Sequence, residues 1–219
     1  MTAAIEVVLP CLNEAEALPG VLAELPPGFT ALVVDNGSTD NTVAVARALG
    51  ARVVVEPRRG YGAAVHTGIV EARSELVAVL DADGSLDAAV LTELARVVLD
   101  GSAELAVGRR VPVDNSVQPW HARAGNSVLA ALLRRRGMPV HDIAPVRVAR
   151  RADLLALDIT DRAFGYPLEM LLRAAQAGWR VHEVDVAYRA RAGGVSKVSG
   201  SIAGTLRAVR DMSKAVART

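Results

Sequence analysis

The sequence predicts an α/β fold in which a Rossmann-like, mainly parallel sheet is flanked by helices on both faces. Short apolar runs alternate with longer helical stretches from residue 5 to about residue 108, which is the spacing of β-α units. The run at 76–80 is apolar throughout, as expected of a strand covered on both faces. Polar loops follow these runs, so we expect the functional side chains at the carboxyl edge of the sheet.

Each element follows from its apolar pattern and from its bounding Gly, Pro and capping residues. In the first half, strands are predicted at 5–9, 31–34, 52–55, 76–80 and 104–107, with helices at 14–25, from about 40 to 49, from about 62 to 72, and at 86–99. In the second half, helices are predicted at 121–136, 152–157, 165–177 and 201–217, with a strand at 180–188 and an irregular or strand segment at 140–150. We interpret residues 1–219 as one domain, with a nucleotide-binding half at 1–108 and an acceptor half at 109–219 that ends in an amphipathic helix.

Composition narrows the class of protein. The chain has 219 residues, of which 51% are hydrophobic and 22% charged, with a net charge of +1, as in a globular protein. Near-neutral charge and only 3% aromatic residues argue against a nucleic-acid partner. The single Cys11 excludes an internal disulfide and a Cys-based metal cluster, and it is predicted to be a partly buried thiol. Because neither a signal peptide nor an apolar run of 18 residues is found, a cytoplasmic protein is expected.

The Asp81-Ala82-Asp83 stretch directly follows the central strand. Side chains at i and i+2 of an extended segment point the same way, so both carboxylates can converge on one point beyond the strand. Two carboxylates in that position suit Mg²⁺ or Mn²⁺, which are usually bound by one or two carboxylates together with substrate phosphates. The simpler alternative is an Asp-rich turn in which Asp87 caps the next helix.

Other phosphate-binding motifs are excluded. Gly60-Tyr61-Gly62 lacks the third glycine of a dinucleotide fingerprint, whose position is taken by Val65, and it follows the third strand rather than the first. No P-loop sequence is present, and the first loop lacks the glycine-rich, lysine-bearing cradle of a nucleotidyltransferase. Acidic and amide side chains at three strand ends remain, and they suit a base edge, a ribose and a metal-bound diphosphate.

Three stretches together carry a resemblance to a known family. Residues 9–14 (LPCLNE), 33–42 (VVDNGSTDNT) and 81–83 (DAD) resemble the signature stretches of family 2 glycosyltransferases of the GT-A fold. Within that family the chain is most similar to the dolichyl- or polyprenyl-phosphate mannose synthase branch. Further matches cover nearly the whole chain in order: Gly108-Arg109, Asp142 with 145–147 (PVR), 164–169 (FGYPLE) and 194–200 (GVSKVSG).

The resemblance implies roles for individual residues. Those that would hold the nucleotide sugar are Pro10, Asn13, Glu14, Asp35, Asn36, Arg59, Asp81, Ala82, Asp83 and Lys197. Asp83 would bind the metal with Asp81 beside it, forming the DXD motif, and Arg109, Arg123 and Arg147 would bind the acceptor. The family commonly has a second aspartate in place of Asn36, and the branch often has a metal-binding glutamine in place of Ser85.

The same resemblance implies an inverting, metal-dependent transfer of a hexose from a GDP- or UDP-sugar. A phosphate acceptor such as polyprenyl phosphate needs only cationic positioning, for which arginines are suited. A hydroxyl acceptor needs a general base, and Asp142 and Glu169 are the candidates. Polyprenyl phosphate is the expected acceptor, and a small soluble hydroxyl or phosphorylated acceptor is the alternative. An alternative of another class is a non-catalytic nucleotide-sugar-binding subunit. Peripheral association with the inner face of a membrane fits the basic helices, and the oligomeric state stays open, a homodimer included.

Overall fold

The computed structural model describes residues 5–114, 120–193 and 210–212. The strands are β1 Ile5–Cys11, β2 Phe29–Asp35, β3 Arg52–Val55, β4 Leu76–Val79, β5 Leu105–Pro112, β6 Val146–Arg150 and β7 Val181–Tyr188. The helices are α1 Leu18–Ala23, α2 Thr42–Ala48, α3 Tyr61–Glu71, α4 Val90–Leu99, α5 Trp120–Arg135, α6 Arg151–Ala156 and α7 Tyr166–Gln176.

The strands form one sheet in the order β3-β2-β1-β4-β6-β5-β7. All neighbouring pairs are parallel except those of β6, which runs antiparallel between β4 and β5. The predicted mainly parallel sheet is thus confirmed, and the uncertain segment at 140–150 contains its antiparallel strand. Because β6 begins beside the end of β4, with Val146 opposite Gly108 of β5, the residues just before Val146 lie at the carboxyl edge.

Helices cover both faces of the sheet, as predicted. Val7 and Leu9 of β1 belong to one core with α1 and α4, whereas Val8 belongs to the other core with α3, α6 and α7. Alternate residues of one strand therefore enter two different cores, which explains why the central strands are apolar without interruption.

Several element boundaries differ from the sequence prediction because side chains from distant loops take the backbone groups. The helix predicted from residue 14 begins at Leu18, since the amides of Glu14 and Ala15 donate to the side chains of Thr42 and Asp40. The helix predicted from residue 86 begins at Val90, because Leu86 forms an antiparallel bridge with Tyr188. β5 continues beyond residue 108 because β7 pairs with it along its whole length.

Cys11 is fully buried rather than partly buried. It lies inside β1 with 1% of its surface exposed, and its Sγ lies 3.4 Å from the carbonyl oxygen of Leu9. Burial, followed by the nearby carboxylates, raises the pKa of this thiol, so it is an inert core residue. Residues 210–212 are helical, whereas the rest of the predicted helix at 201–217 lies outside the described residues. Within the described part of the chain, no helix is long and apolar enough to cross a membrane.

Candidate functional site

The loops after β1 and β2 are joined by side-chain hydrogen bonds. The backbone amide of Thr39 donates to Oδ1 of Asn13 at 2.7 Å, and the amide of Asn13 donates to Oγ of Ser38 at 2.9 Å. Asn13 has a φ of 59°, a left-handed conformation that asparagine tolerates better than most residues. The two predicted nucleotide-binding loops therefore form one unit at the carboxyl edge of the sheet.

Asp35 organises its own turn at the end of β2. Its two carboxylate oxygens accept the amides of Gly37 at 3.2 Å and Ser38 at 3.1 Å, and only 5% of the residue is exposed. A carboxylate oxygen has lone pairs for more than one donor, so these bonds leave acceptor capacity for a ligand hydroxyl or N–H.

Asn36 uses its whole amide to shape the loop that leads into α3. Its Nδ2 donates to the carbonyls of Glu56 at 3.0 Å and Arg58 at 2.8 Å, while its Oδ1 accepts the amide of Gly60 at 2.8 Å. A carboxylate could not donate these two bonds, so the loop needs an amide at this position. Both N–H bonds of its amide are thus directed to this loop.

Arg59 is held over the turn that contains Asp35. A Cβ on Gly37 would lie 3.0 Å from Cζ of Arg59, and Gly37 itself has a φ of 84°. The guanidinium thus packs on a backbone position that only glycine leaves open. This contact brings a cation beside the nucleotide-binding loops, where the sequence predicted one.

The glycines around Tyr61 serve backbone packing. The amides of Gly62 and Ala63, at the first turn of α3, donate to the carbonyls of Ala163 and Arg162 at 3.0 and 2.8 Å. A Cβ on Gly62 would lie 2.7 Å from Cβ of Tyr166. These helix N-terminal donors are already paired within the protein, in agreement with the exclusion of a dinucleotide fingerprint.

Asp81 and Asp83 converge at the end of β4. Burial and, after it, the neighbouring charge of Asp83 together raise the pKa of Asp81 to about 6. The guanidinium groups of Arg147, Arg110 and Arg191 oppose this rise. The two carboxylates therefore repel one another electrostatically, and several cations lie near them.

Asp83 is already paired with a cation of the chain. Only 4% of the residue is exposed; its Oδ1 accepts the amide of Ser85 at 2.9 Å, and its Oδ2 lies 2.9 Å from Nη2 of Arg191. Arg191 follows β7, and its Nη1 lies 3.9 Å from Oε1 of Glu14. The site therefore draws an arginine from the second half of the chain onto the acidic pair.

Arg147 reaches Asp81 through Tyr61. Nη2 of Arg147 donates to the hydroxyl of Tyr61 at 3.2 Å, and that hydroxyl donates to Oδ1 of Asp81 at 3.3 Å. Arg147 is 3% exposed, and its Nε donates to the carbonyl of Ala144 at 2.8 Å. This guanidinium lies within the sheet edge, where it contributes positive potential to Asp81.

Arg110, rather than Arg109, faces the acidic pair. Neighbouring residues of a strand point to opposite faces, and Arg109 forms a bidentate pair with Asp185 at 2.7 and 2.8 Å. Arg110 forms the equivalent pair with Asp142 at 2.8 and 2.7 Å, and its charge lowers the pKa of Asp81. Arg110 also packs over the ring of Tyr188, with Cζ 5.7 Å from the ring centroid.

Asp142 is therefore engaged on both oxygens. Besides the side chain of Arg110, it accepts the backbone amide of Arg110 at 2.9 Å, and 1% of the residue is exposed. Although burial acts in the opposite direction, these bonds lower the pKa of Asp142. A carboxylate with a lowered pKa is a weak base, so its geometry is that of a residue that positions Arg110.

Glu169 lies in a separate, buried network. Its oxygens accept the amides of Thr160 at 2.9 Å and Asp161 at 2.7 Å and pair with Nε of Arg173 at 2.8 Å. The residue is fully buried, and these hydrogen bonds lower its pKa against the effect of burial. Among the residues that the structure describes, its hydrogen-bond partners are Thr160, Asp161 and Arg173, none of which belongs to the acidic pair or its cations. The geometry is that of an anchor for the loop before α7 and gives no support to a role as a base.

The remaining predicted residues are placed as follows. Pro10 lies in β1 opposite Val34, Ala82 is buried between the two aspartates, and Glu14 is nearly buried at the first loop. Arg123 lies on α5 with an exposed side chain. Lys197 lies outside the described residues, so its predicted contact with a diphosphate stays a prediction.

The donor set fits a divalent cation that is completed by substrate. Among the described residues, no cluster of three or more His, Cys, Asp or Glu side chains could hold a metal by itself. The acidic pair Asp81 and Asp83 lies at the end of β4 with like charges close together. The guanidinium of Arg191 pairs with Asp83, which shows that a positive charge is favourable at this point. Such an acidic pair suits Mg²⁺ or Mn²⁺ bound together with phosphate oxygens and water.

Sequence reasoning missed three residues of this edge. The sequence shows Tyr61 only as part of a glycine pair, and neither Arg191 nor Arg110 is among the predicted site residues, since the acceptor arginine predicted on β5 is Arg109. The only sequence signal for Arg191 is its position three residues before the Gly194 stretch that carries the family resemblance.

Comparison with known proteins identifies the family of this chain. The sequence profile described as "Glycosyl transferase family 2" matches residues 6–156. An uncharacterized glycosyltransferase of Mycobacterium tuberculosis is 58% identical over 97% of this chain and 98% of that protein. The polyprenol monophosphomannose synthase of Mycolicibacterium smegmatis is 33% identical over 89% of this chain and 81% of its own length.

A solved structure shares the fold. Glucosyl-3-phosphoglycerate synthase from Mycobacterium tuberculosis, in complex with Mn²⁺, UDP and glucosyl-3-phosphoglycerate, superimposes with a TM-score of 0.75. The match covers 98% of this chain and 79% of that one at 22% identity, so it bears on the GT-A fold alone. The fold, the sequence profile and the relatives agree: the chain belongs to glycosyl transferase family 2 and is a glycosyltransferase.

Proposed function

We propose that this protein is a metal-dependent, inverting hexosyltransferase that uses a nucleoside-diphosphate sugar and delivers the hexose to polyprenyl phosphate. The observation that carries the proposal is the acidic pair Asp81 and Asp83 at the end of β4, surrounded by Arg110, Arg147 and Arg191. An acidic pair with several cations close by can hold both a metal and the anionic groups of two phosphorylated substrates.

The donor half of the proposal rests on the joined loops after β1 and β2. Asp35 offers acceptor capacity for a hydroxyl or N–H, and Asn13 locks the first loop to the second. Arg59 lies beside these loops, where a guanidinium can pair with phosphate oxygens. In the proposed complex, Asp83 holds the metal, with Asp81 beside it.

When bound, the divalent cation would supply Lewis-acid stabilisation of the departing diphosphate. The chain's own residues position the partners: the Asp35 turn holds the nucleoside, and Tyr61 with Arg147 fixes the orientation of Asp81. An acceptor phosphate is already anionic and needs no proton removed, which agrees with the engaged oxygens of Asp142 and Glu169.

The acceptor half of the proposal rests on Arg110, whose guanidinium lies near enough to lower the pKa of Asp81 and can pair with an acceptor phosphate beside the acidic pair. Among the relatives, one protein is named a polyprenol monophosphomannose synthase, and another, from Micrococcus luteus, is named an undecaprenyl-phosphate mannosyltransferase. A polyprenyl phosphate lies in a membrane, so we also propose peripheral membrane association.

The donor is tested by thermal shift with UDP- and GDP-hexoses, each with and without Mn²⁺. A ligand that binds only the folded protein stabilises it by about 2.7 kcal/mol at a hundredfold excess over Kd. We expect one nucleotide to raise Tm in a metal-dependent way, and Asp83→Ala to remove that shift. Asp87→Ala is the matched control, because Asp87 lies on the same loop with an exposed side chain.

The acceptor is tested by transfer of labelled hexose to a short-chain polyprenyl phosphate. The polyprenol of the same length and 3-phosphoglycerate serve as competing acceptors. Product with the phosphorylated lipid alone supports the proposal. Product with 3-phosphoglycerate would move the function to a small phosphorylated acceptor, and binding of no donor at all would favour a non-catalytic subunit.

A further inference from the structure

The segment after β7 is attached to the loop that carries the acidic pair. We call residues 189–193 the strap. The amide of Arg189 donates to the carbonyl of Ser85 at 2.8 Å, and the amide of Ala192 donates to the carbonyl of Asp83 at 3.0 Å. The strap is therefore fixed to the backbone on either side of Gly84, directly over the proposed metal site.

The close approach of the strap depends on two glycines. A Cβ on Gly84, whose φ is 71°, would lie 3.0 Å from Cβ of Ala192. A Cβ on Gly193 would lie 2.7 Å from Oε2 of Glu16. A side chain at either position would push the strap away from the acidic loops, so the chain is built to let this segment lie close.

Arg191 is the strap residue that enters the site. Its Nη2 lies 2.9 Å from Oδ2 of Asp83, whose side chain is 5% exposed, and the side chain of Arg191 is 29% exposed. A nearly buried carboxylate is costly unless it is paired with a cation. In the structure described here, Arg191 provides that positive charge, and its other nitrogen extends toward Glu14.

We propose that Arg191 is the internal cation of the donor site, which neutralises Asp83 and exchanges that carboxylate for the divalent ion of the metal–nucleotide complex. This inference rests on the proposed function and adds the order of events at that site. A divalent ion on the same oxygen would stand within a few ångströms of the guanidinium, and two cations at that distance repel one another. Arg191 must therefore leave Asp83 when the ion binds.

The diphosphate gives the displaced arginine a new partner. Guanidinium groups bind phosphate oxygens in a bidentate manner, and the strap keeps Arg191 at the edge where the donor binds. Metal binding without nucleotide leaves Arg191 unpaired near a cation, whereas metal binding with nucleotide provides an anion for it. The metal and the nucleotide should then promote one another's binding, with Arg191 as the coupling residue.

The test measures Mn²⁺ affinity directly, by isothermal titration calorimetry and by the electron paramagnetic resonance signal of free Mn²⁺. For Arg191→Gln we expect Mn²⁺ alone to bind about tenfold more tightly than to the wild type, within the usual range of coupling between sites. With UDP or GDP present, we expect the same variant to bind Mn²⁺ more weakly than the wild type. The two changes have opposite signs, which the loss of a purely structural salt bridge would not produce.

Arg189→Gln is the matched control, because Arg189 lies on the strap but pairs with exposed Asp87 at 3.5 Å. It should leave both Mn²⁺ affinities unchanged. Arg191→Lys keeps the charge and should retain weak binding of Mn²⁺ alone, which provides a second comparison if Arg191→Gln folds poorly.

The outcomes separate this inference from the proposed function. The proposed role of Arg191 would be overturned if folded Arg191→Gln bound Mn²⁺ alone as tightly as the wild type or more weakly, whether or not Arg191→Lys behaved in the same way. Failure of every variant, wild type included, to bind Mn²⁺ with either nucleotide would overturn the metal-dependent function and the inference with it.

Discussion

Two carboxylates of this protein, Asp81 and Glu169, experience opposite environments. Asp81 lies at the end of β4 with few hydrogen-bond donors and a like charge beside it, and its pKa is raised to about 6. Glu169 lies in α7, accepts two backbone amides and pairs with Arg173, and its pKa is lowered. Burial acts on both in the same direction, so the difference comes from the donors around them.

This difference in hydrogen-bond donors shows which of the two acids is available for a ligand. Glu169 has spent its acceptor capacity on the fold, and the hydrogen bonds that satisfy it also hold the loop before α7. Asp81 and its neighbour Asp83 keep unfavourable charge close together, which a metal or a cationic side chain relieves. Retaining such a cost at the carboxyl edge is the behaviour expected of a functional site.

The largest expected effect is on turnover in Asp83→Ala. Loss of the proposed metal carboxylate should lower kcat at least about a thousandfold, because the charge on the leaving diphosphate is stabilised by several kcal/mol less. Stability should change little, since Arg191 is partly exposed and can return to water. Initial rates and thermal melts measure the two quantities, and normal turnover would disprove the metal assignment.

Glu169→Gln tests the other side of the comparison. The NH2 group of the glutamine would replace one carboxylate oxygen and face a donor, the amide of either Thr160 or Asp161, so we expect a loss of about 2–4 kcal/mol in the free energy of unfolding. Turnover per folded molecule should be preserved. Glu104→Gln, which removes an exposed pair with Arg180, is the control and should cost less than about 1 kcal/mol.

A stable Glu169→Gln protein that has lost activity would contradict this interpretation. It would return Glu169 to the role of a base, as the sequence allowed. Denaturant titration and initial rates on the same preparation distinguish the two results.

Asp142→Asn tests whether Asp142 positions Arg110 or acts as a general base. Because Asp142 pairs with Arg110 through both oxygens, the variant should lose about 2 kcal/mol of stability and raise the KM for the acceptor. If Asp142 were a general base, kcat would instead fall by about a hundredfold or more. Saturation kinetics with the acceptor separate these effects.

The smallest expected effect is the pH dependence of stability. Asp81 has a pKa of about 6 in the folded protein against an ordinary value of 3.8 for an aspartate, so the folded state binds the proton more tightly. Its contribution therefore favours the native state at low pH and is lost as the pH rises from about 4 to 6. Asp81→Asn should gain on the order of 1–2 kcal/mol over the wild type between pH 4 and pH 7, after allowance for solvent screening.

This prediction is measured by urea titration of the metal-free proteins at both pH values. Equal differences at pH 4 and pH 7 would mean that Asp81 is not perturbed. The lowered pKa of Glu169 predicts the opposite sign: its contribution is present above the unfolded pKa and is lost as the pH falls through the folded one.

Much of the fold could be predicted because its signals are local. The apolar run at 76–80 and the polar loop behind it lie within one stretch of sequence, and β3 was predicted at its observed bounds. The boundaries that failed, at Leu18 and Val90, are those where distant side chains or strands replace helical hydrogen bonds. Local propensity carries no information about such partners.

By itself, the sequence determined the parallel α/β architecture, the edge where chemistry is expected and the acidic pair at its centre. The tertiary structure alone decided which charged groups are free to act there. Whether Asp81, Asp142 or Glu169 is satisfied depends on donors from remote segments, such as Arg110 for Asp142 and Tyr61 for Asp81. Because hydrogen bonding and charge act through space, chemically identical side chains acquire different roles only when the chain has folded around them.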